Sequence, residues 1–208
     1  MFPHSPITRR VLAIVGLSLM AGSALAKDFK SAFGYSATVP DHWRIMTRDD
    51  VQANSGQISS DAKRELKDFN PQTVSAVQRQ IATGNVEVFF NLNTSTRDFA
   101  DNINVMRSSG RVPVSTAEGQ QACAEAKTGL PGVIGRPIDL HDCGYRQING
   151  FHALYINMTV SGAPYRSAQY MLQMKDGRHL LFTLTAKHGD YPKLKNEFDA
   201  IVNSVRVR

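Results

Sequence analysis

The sequence predicts an α+β domain, a mainly antiparallel β-sheet flanked by helices in an α/β/α sandwich-like arrangement. Three observations predict it. Strand-like segments come in adjacent runs with helices between the runs, not in strict β-α-β alternation. The last third reads as three consecutive strands joined by turn signals. The chain then closes on an amphipathic helix suited to cover one sheet face.

In chain order, the first element is a leader. Arg9 and Arg10 form a short basic region, and Val11 to Gly22 is an apolar run of 12 residues. Ala24-Leu25-Ala26 supplies the small-x-small pattern that signal peptidase requires. The pattern predicts a secretory signal peptide over 1–26, cut after Ala26, and one domain over 27–208. An uncleaved anchor is the alternative, but the run is too short for ~30 Å of hydrocarbon. Cleavage leaves 182 of the 208 residues and lowers the net charge from +6 to +4, since the leader holds two arginines and no acid. No later stretch approaches the length of a membrane span, so no stable membrane insertion is expected after cleavage. The mild positive charge is not the footprint of a nucleic-acid binder.

Gly34 to Val39 alternates as a strand and Pro40 stops it; Trp43 to Thr47 follows after a Pro40-Asp41-His42 turn. Asp49 to Phe69 is polar, with Asp61 placed to cap a short helix through Leu66 and Phe69. Pro71 opens another helix with Val74, Val77 and Ile81 on one side, and Gly84 ends it. Asn85 to Asn93 is a strand with Val86, Val88, Phe90 and Leu92 on one face and Glu87, Asn91 and Asn93 on the other. Asp101 to Met106 is the next, Ile103 and Val105 inward.

Ser115 and Glu118 fit a capping box, which starts a helix running to about Lys127. Gly129 to Asp139 reads as a Gly/Pro-rich loop. Phe151 to Val160, Tyr165 to Met174 and Arg178 to Lys187 are the three strands of the meander. One face collects Leu154, Ile156, Met158, Val160, Ala168, Tyr170, Leu172, Met174, Leu180, Phe182, Leu184 and Ala186. The other mixes Tyr155, Asn157, Thr159, Gln169, Gln173, Thr183 and Thr185, so it is expected partly wet or against a ligand. Leu194, Phe198, Ile201, Val202 and Val205 form the apolar stripe of the last helix, with Pro192 in its first turn.

Several segments together resemble the PsbP-like superfamily, which includes the photosystem II extrinsic subunit PsbP, the Ran-binding Mog proteins and bacterial DcrB-type domains. GYSATVPDHW is similar to its entry strand and turn, and DNINVMR to its central strand. INGFHALYINM, DGRHLLFTLTA and YPKLKNEFDAIVNSVRV resemble its last hairpins and closing helix. The resemblance covers most of residues 30–207. It implies an antiparallel sheet between helical layers and a non-enzymatic role as assembly factor, adaptor, chaperone or ligand-binding module. Cys123, Cys143 and the long Gly129–Asp139 loop depart from that pattern, and the family has no shared catalytic motif to carry over.

Cys123 and Cys143 are an even pair at moderate spacing, which in an oxidising compartment predicts a disulfide. The alternative, a reactive thiol, lacks a Cys-x-x-Cys motif. Gly-x-Ser-x-Gly and the Walker phosphate loop are both absent. Among the histidines of 27–208 (His42, His141, His152, His179, His188) none forms a metal-binding spacing, and a disulfide would withdraw Cys143 from a His141-Asp142-Cys143 ligand set. No cofactor and no metal is expected.

The turn Asp41-His42-Trp43-Arg44 is the one aromatic and charged cluster. Either Trp43 plugs the sheet edge among solvated charges, or His42, Trp43 and Arg44 frame a contact surface. Tyr165 and Arg166, beside the Gly162–Pro164 turn, are the second candidate surface. The function expected is a non-catalytic exported binding or adaptor protein of the bacterial envelope, periplasmic or secreted, whose partner is another envelope or secreted protein. An immunity or inhibitor protein against a secreted toxin is one alternative. A small periplasmic hydrolase, with His141 or His188 beside a carboxylate and a hydroxyl, is the other. The sequence leaves the oligomeric state open.

Overall fold

Period-2 alternation dominates the second half of the chain, and every strand pair it forms is antiparallel. The computed structural model describes residues 26–53, 60, 64, 67 and 70–207. The leader, apart from Ala26, and most of the helix expected from Asp61 to Phe69, including Asp61, Leu66 and Phe69, lie outside the described residues.

Among the described residues there are ten strands and four helices. They are β1 (Ala26–Lys30), β2 (Tyr35–Pro40), β3 (Trp43–Met46), α1 (Arg48–Ala53), α2 (Pro71–Ala82), β4 (Val86–Asn91), β5 (Asn102–Ser109), α3 (Thr116–Ile134), β6 (Ile138–Ile148), β7 (Phe151–Val160), β8 (Tyr165–Gln173), β9 (Arg178–Lys187), α4 (Tyr191–Asn203) and β10 (Arg206–Val207). A seven-stranded sheet has the order β3-β4-β5-β9-β8-β7-β6, and a three-stranded sheet the order β1-β2-β10. The architecture is the α+β, mainly antiparallel one that the sequence predicts.

The main core lies on one face of the large sheet. Phe89, Ile103, Val105, Tyr170, Phe182 and Leu184 meet Leu194, Phe198, Ile201 and Val202 of α4, and Tyr35, Ala37 and Val39 of the small sheet. The expected stripe of α4 is therefore buried as a unit. The opposite face carries two separate apolar patches. At the β4 end Val86, Val88 and Phe90 pack under Val74, Val77 and Ile81 of α2. At the β6–β7 end Leu154, Ile156 and Met158 pack under Ala122, Ala126, Leu130 and Ile134 of α3.

Two expectations need correction. First, Gly129 to Asp139 is not a loop. Helix α3 runs on to Ile134, and Gly135 ends it with a left-handed φ of 73° and an N–H bond to the Pro131 carbonyl. The apolar line through Ala126, Leu130 and Ile134 continues over the sheet. That burial offsets Pro131 inside the helix, where the lost hydrogen bond and the ring clash cost about 3 kcal/mol. Strand β6 then begins at Ile138, inside the expected loop, and runs on through residues that carry no expected element.

Second, Leu154, Ile156 and Met158 share a face, but not the face of Tyr170 and Phe182. The register sets Tyr155 opposite Tyr170 and Leu154 opposite Met171. Tyr155 and Ala153 enter the main core, and the three aliphatics go under α3. Strand β7 is buried on both sides, so alternation alone does not say which set faces which layer. The side of β4 that carries Glu87 and Asn91 is covered as well. Glu87 is 2% exposed and Asn91 0%. Ser31 and Tyr35 donate their hydroxyls to the Glu87 carboxylate at 2.7 to 2.9 Å.

Cys123 and Cys143 are disulfide-bonded, with Cα atoms 5.8 Å apart, and the bond ties α3 to the edge strand β6. No helix among the described residues is long and apolar enough to cross a membrane.

Candidate functional site

The residues of the Asp41–Arg44 turn are split by the strand they begin. Trp43 pairs with Asn91 and points into the main core, fully buried. Its indole N–H donates to Glu197 Oε2 of α4 at 2.9 Å, and His42 Nε2 lies 2.8 Å from the same oxygen. His42 and Trp43 therefore clamp α4 to the sheet edge. Arg44 is the next residue, pairs with Phe90, and belongs to the opposite face. The structure does not assemble His42, Trp43 and Arg44 into one surface.

Tyr165 and Arg166 divide in the same way. Arg166 donates through Nε to Asn157 Oδ1 at 2.9 Å, and its guanidinium lies 4.6 Å from the centre of the Tyr191 ring. Tyr165 is on the other face, stacked on Phe99 with ring centres 5.7 Å apart and planes 27° from parallel. Phe99, the stacking partner of Tyr165, and Phe90, the strand partner of Arg44, both line a cavity.

That cavity is one of the recesses on the face shared by α2 and α3, another being a shallower one beside α3 lined by Glu118, Gln121, Ala122, Glu125 and Leu154. It measures about 250 Å³ and lies between α2 and the sheet. Asn70, Thr73, Val77 and Gln80 form its helical wall, Val88, Phe90, Asn102 and Asn104 its floor, and Thr96 to Ala100 its lid. The floor continues sideways as a polar lane. Asn102 sits opposite Thr185 and Asn104 opposite Thr183, and the next strand adds Ser167 and Gln169 in the same two rows. Apolar patches under α2 and α3 border this lane on both sides. The expectation of a partly wet face thus holds for Gln169, Thr183 and Thr185, which are half-buried. It fails for Tyr155, which enters the core.

The lid is held from below. Asn91 Oδ1 accepts from the N–H groups of Asn93 and Thr94 and from the Thr94 hydroxyl. Lys187 Nζ donates to the Thr94 carbonyl at 2.7 Å, and the Lys187 N–H donates to Asp101 Oδ1 at 2.8 Å. Asp101 is fully buried, and burial pushes its carboxyl above the usual carboxylate range against the pull of these contacts. Thr96 N–H closes the loop on the Phe99 carbonyl at 2.8 Å.

The chemistry of the cavity is amide and hydroxyl chemistry. Asn102 Nδ2 donates to the Ala100 carbonyl at 2.7 Å, while its Oδ1 meets no donor among the described residues. The charged residues at the cavity, Arg97 and Asp98, are exposed and of opposite sign. Asn102 and Asn104 escape the sequence reading, although it places Ile103 and Val105 inward. The signal was there: two asparagines alternate with those residues and must share the other face.

Elsewhere, His141 is exposed and its Nε2 lies 2.7 Å from the Thr159 hydroxyl. His188 Nε2 lies 3.1 Å from the Ala163 carbonyl. Neither lines the cavity. His152 meets the Tyr145 hydroxyl at 2.9 Å, and His179 is buried, which lowers its pKa. Among the described residues no three His, Cys, Asp or Glu side chains cluster as metal ligands would.

No family model matches the chain, and no curated protein does. Solved structures do. The solution structure of cyanobacterial PsbP (CyanoP) from Synechocystis sp. PCC 6803 is 15% identical, with a TM-score of 0.54, over 93% of this chain and 99% of that one. The Ran-binding protein Mog1p of Saccharomyces cerevisiae is 10% identical, with a TM-score of 0.49, over 89% and 96%. A Pseudomonas aeruginosa protein of unknown function is 13% identical, with a TM-score of 0.46, over 88% and 97%. At such identity the likeness to the first is one of fold, and the fold of this chain is PsbP-like.

Proposed function

We propose that this PsbP-like domain is an exported, non-catalytic binding protein of the bacterial envelope, cut after Ala26, and that it binds through the polar lane and cavity between α2 and α3. One observation carries the reading. Apart from Arg97 and Asp98 at its exposed lid, the polar groups lining this cavity are amides and hydroxyls, and among the described residues no acid–base or nucleophile–base pair lines it. Recognition needs convergent polar groups on a rigid frame; catalysis needs groups that move protons. The disulfide agrees with an oxidising compartment. The basic and apolar leader agrees with passage into one.

The test is fractionation of the producing cell, followed by intact mass and affinity capture. The protein should be recovered outside the cytoplasm, begin at Lys27, carry no free thiol and retain an envelope component. A cytoplasmic chain that begins at Met1 with both thiols free would sink the proposal.

A further inference from the structure

The cavity described above has a chemical signature beyond being a pocket. We propose that it binds a neutral, hydroxyl-rich ring, the class of ligand to which a saccharide unit belongs. This inference rests on the reading of the chain as a binding protein and names the ligand class of that same site.

Four observations point to this class. The polar groups at the floor are carboxamides, Asn102 and Asn104, continued by the hydroxyls of Thr183 and Thr185. A carboxamide offers donors and an acceptor together, as a sugar hydroxyl does, so the two pair in either sense. Next, Asn102 Oδ1 is buried without a donor among the described residues. An unpaired buried acceptor carries a desolvation penalty, and a ligand hydroxyl is a donor able to remove it. The third is Phe99. Its ring lines the cavity and is fixed by stacking on Tyr165. The negative face of an aromatic ring attracts the polarised C–H face of a sugar. The fourth is size. Ligand pockets run from roughly 300 to 1,000 Å³, and about 250 Å³ suits one ring, not a long chain.

The competing ligand classes fit less well. The N-terminus of α2 borders the cavity, but it is already occupied. Asn70 Oδ1 accepts the Gln72 N–H at 2.9 Å, and Pro71 has no N–H to offer an anion. Arg97 stands beside Asp98 at the exposed lid, so no net charge is presented to a phosphate or a carboxylate. A purely apolar ligand would bury the amides of the floor without partners.

The experiment is a titration of the isotope-labelled protein, purified as exported, followed by backbone amide NMR. The probes are N-acetylglucosamine, glucose, the tripeptide Ala-Ala-Ala and inorganic phosphate. A neutral sugar should move the signals of Phe99, Asn102 and Asn104, saturably. Asn104→Ala should weaken that binding at least tenfold. Thr73→Val, at an exposed position on α2 that cannot disturb the core, should weaken it severalfold while the melting temperature stays unchanged. Three results overturn the inference: no sugar moves these signals, sugar shifts persist in both variants, or the tripeptide or phosphate alone binds here. The third leaves the binding-protein reading standing, because the cavity then takes a different ligand. Capture of an envelope component by a surface away from the cavity, with all four probes silent, would remove the cavity from both readings.

Discussion

Breaking the Cys123–Cys143 bond tests how the second half of the fold is held. The bond joins residues 20 apart and spans the end of α3, the Gly135 cap and the start of β6. For a loop of that length the chain-entropy model gives about 3 kcal/mol of stabilisation, through restriction of the unfolded chain. The folded state should persist without it, because Ala122, Ala126, Leu130 and Ile134 still pack on Leu154, Ile156 and Met158. The perturbation is Cys123→Ala with Cys143→Ala, compared with the oxidised protein in urea. With a slope of roughly 1–3 kcal/mol per molar, the midpoint should fall by roughly 1–3 M. Hydrogen exchange should quicken most in α3 and β6, and least in the β5–β9–β8 centre. A double variant whose midpoint and exchange pattern match those of the oxidised protein would refute the argument. It would mean that the packing under α3 restrains this loop even in the denatured chain.

Other perturbations read other contacts. Glu197→Ala removes the acceptor of the fully buried Trp43 N–H and the partner of His42; about 1–3 kcal/mol of stability should be lost, with a matching fall in the thermal midpoint. Gly132→Ala on the open side of α3 should add about 1 kcal/mol, since nothing lies within 4 Å of the new methyl. Gly119→Ala on the same helix should destabilise instead, because its Cβ would fall 2.6 Å from the Tyr145 backbone nitrogen; urea midpoints of the two variants should move in opposite directions. Burial raises the Glu87 carboxyl above the usual carboxylate range, against the Ser31 and Tyr35 hydroxyls and the Arg107 charge. A raised folded-state pKa favours the fold fully at pH below the ordinary carboxylate range and loses that contribution as pH climbs through the raised value. Glu87→Gln cannot ionise, so unfolding at pH 4 and pH 7 should show the wild type losing stability relative to the variant; parallel pH profiles would discount the buried acid.

Much of the fold was legible because the relevant signals are local. The Ser115–Glu118 cap, the Pro71 start, the turn at Asp176-Gly177 and the stripe of α4 depend on spacing within one element. What was not legible depends on tertiary context. Gly129, Pro131 and Gly132 read as loop by composition, yet the cost of a proline inside a helix is outweighed when Leu130 and Ile134 can be buried on a neighbouring sheet. Strand β6 is largely half-exposed, so it lacks a strong apolar alternation to announce itself. On β7 both sides are buried, which removes the polar reference that tells one face from the other.

The candidate site shows the same limit in sharper form. Cluster searches favour residues adjacent in sequence, and in a strand adjacency is the wrong criterion. Trp43 and Arg44 part to opposite faces, and so do Tyr165 and Arg166, because successive side chains alternate. The residues that share the lane are Asn104 on β5, Thr183 on β9 and Gln169 on β8, brought into one row by register alone. A one-residue slip of β9 would exchange Thr183 for Phe182 or Leu184 on that row, and the hydrophobic core prevents it by holding both on the other face. The same apolar packing that defines the fold therefore fixes which polar groups converge. A function carried by this face should accordingly fail under any substitution that shifts the register, well before the domain itself unfolds.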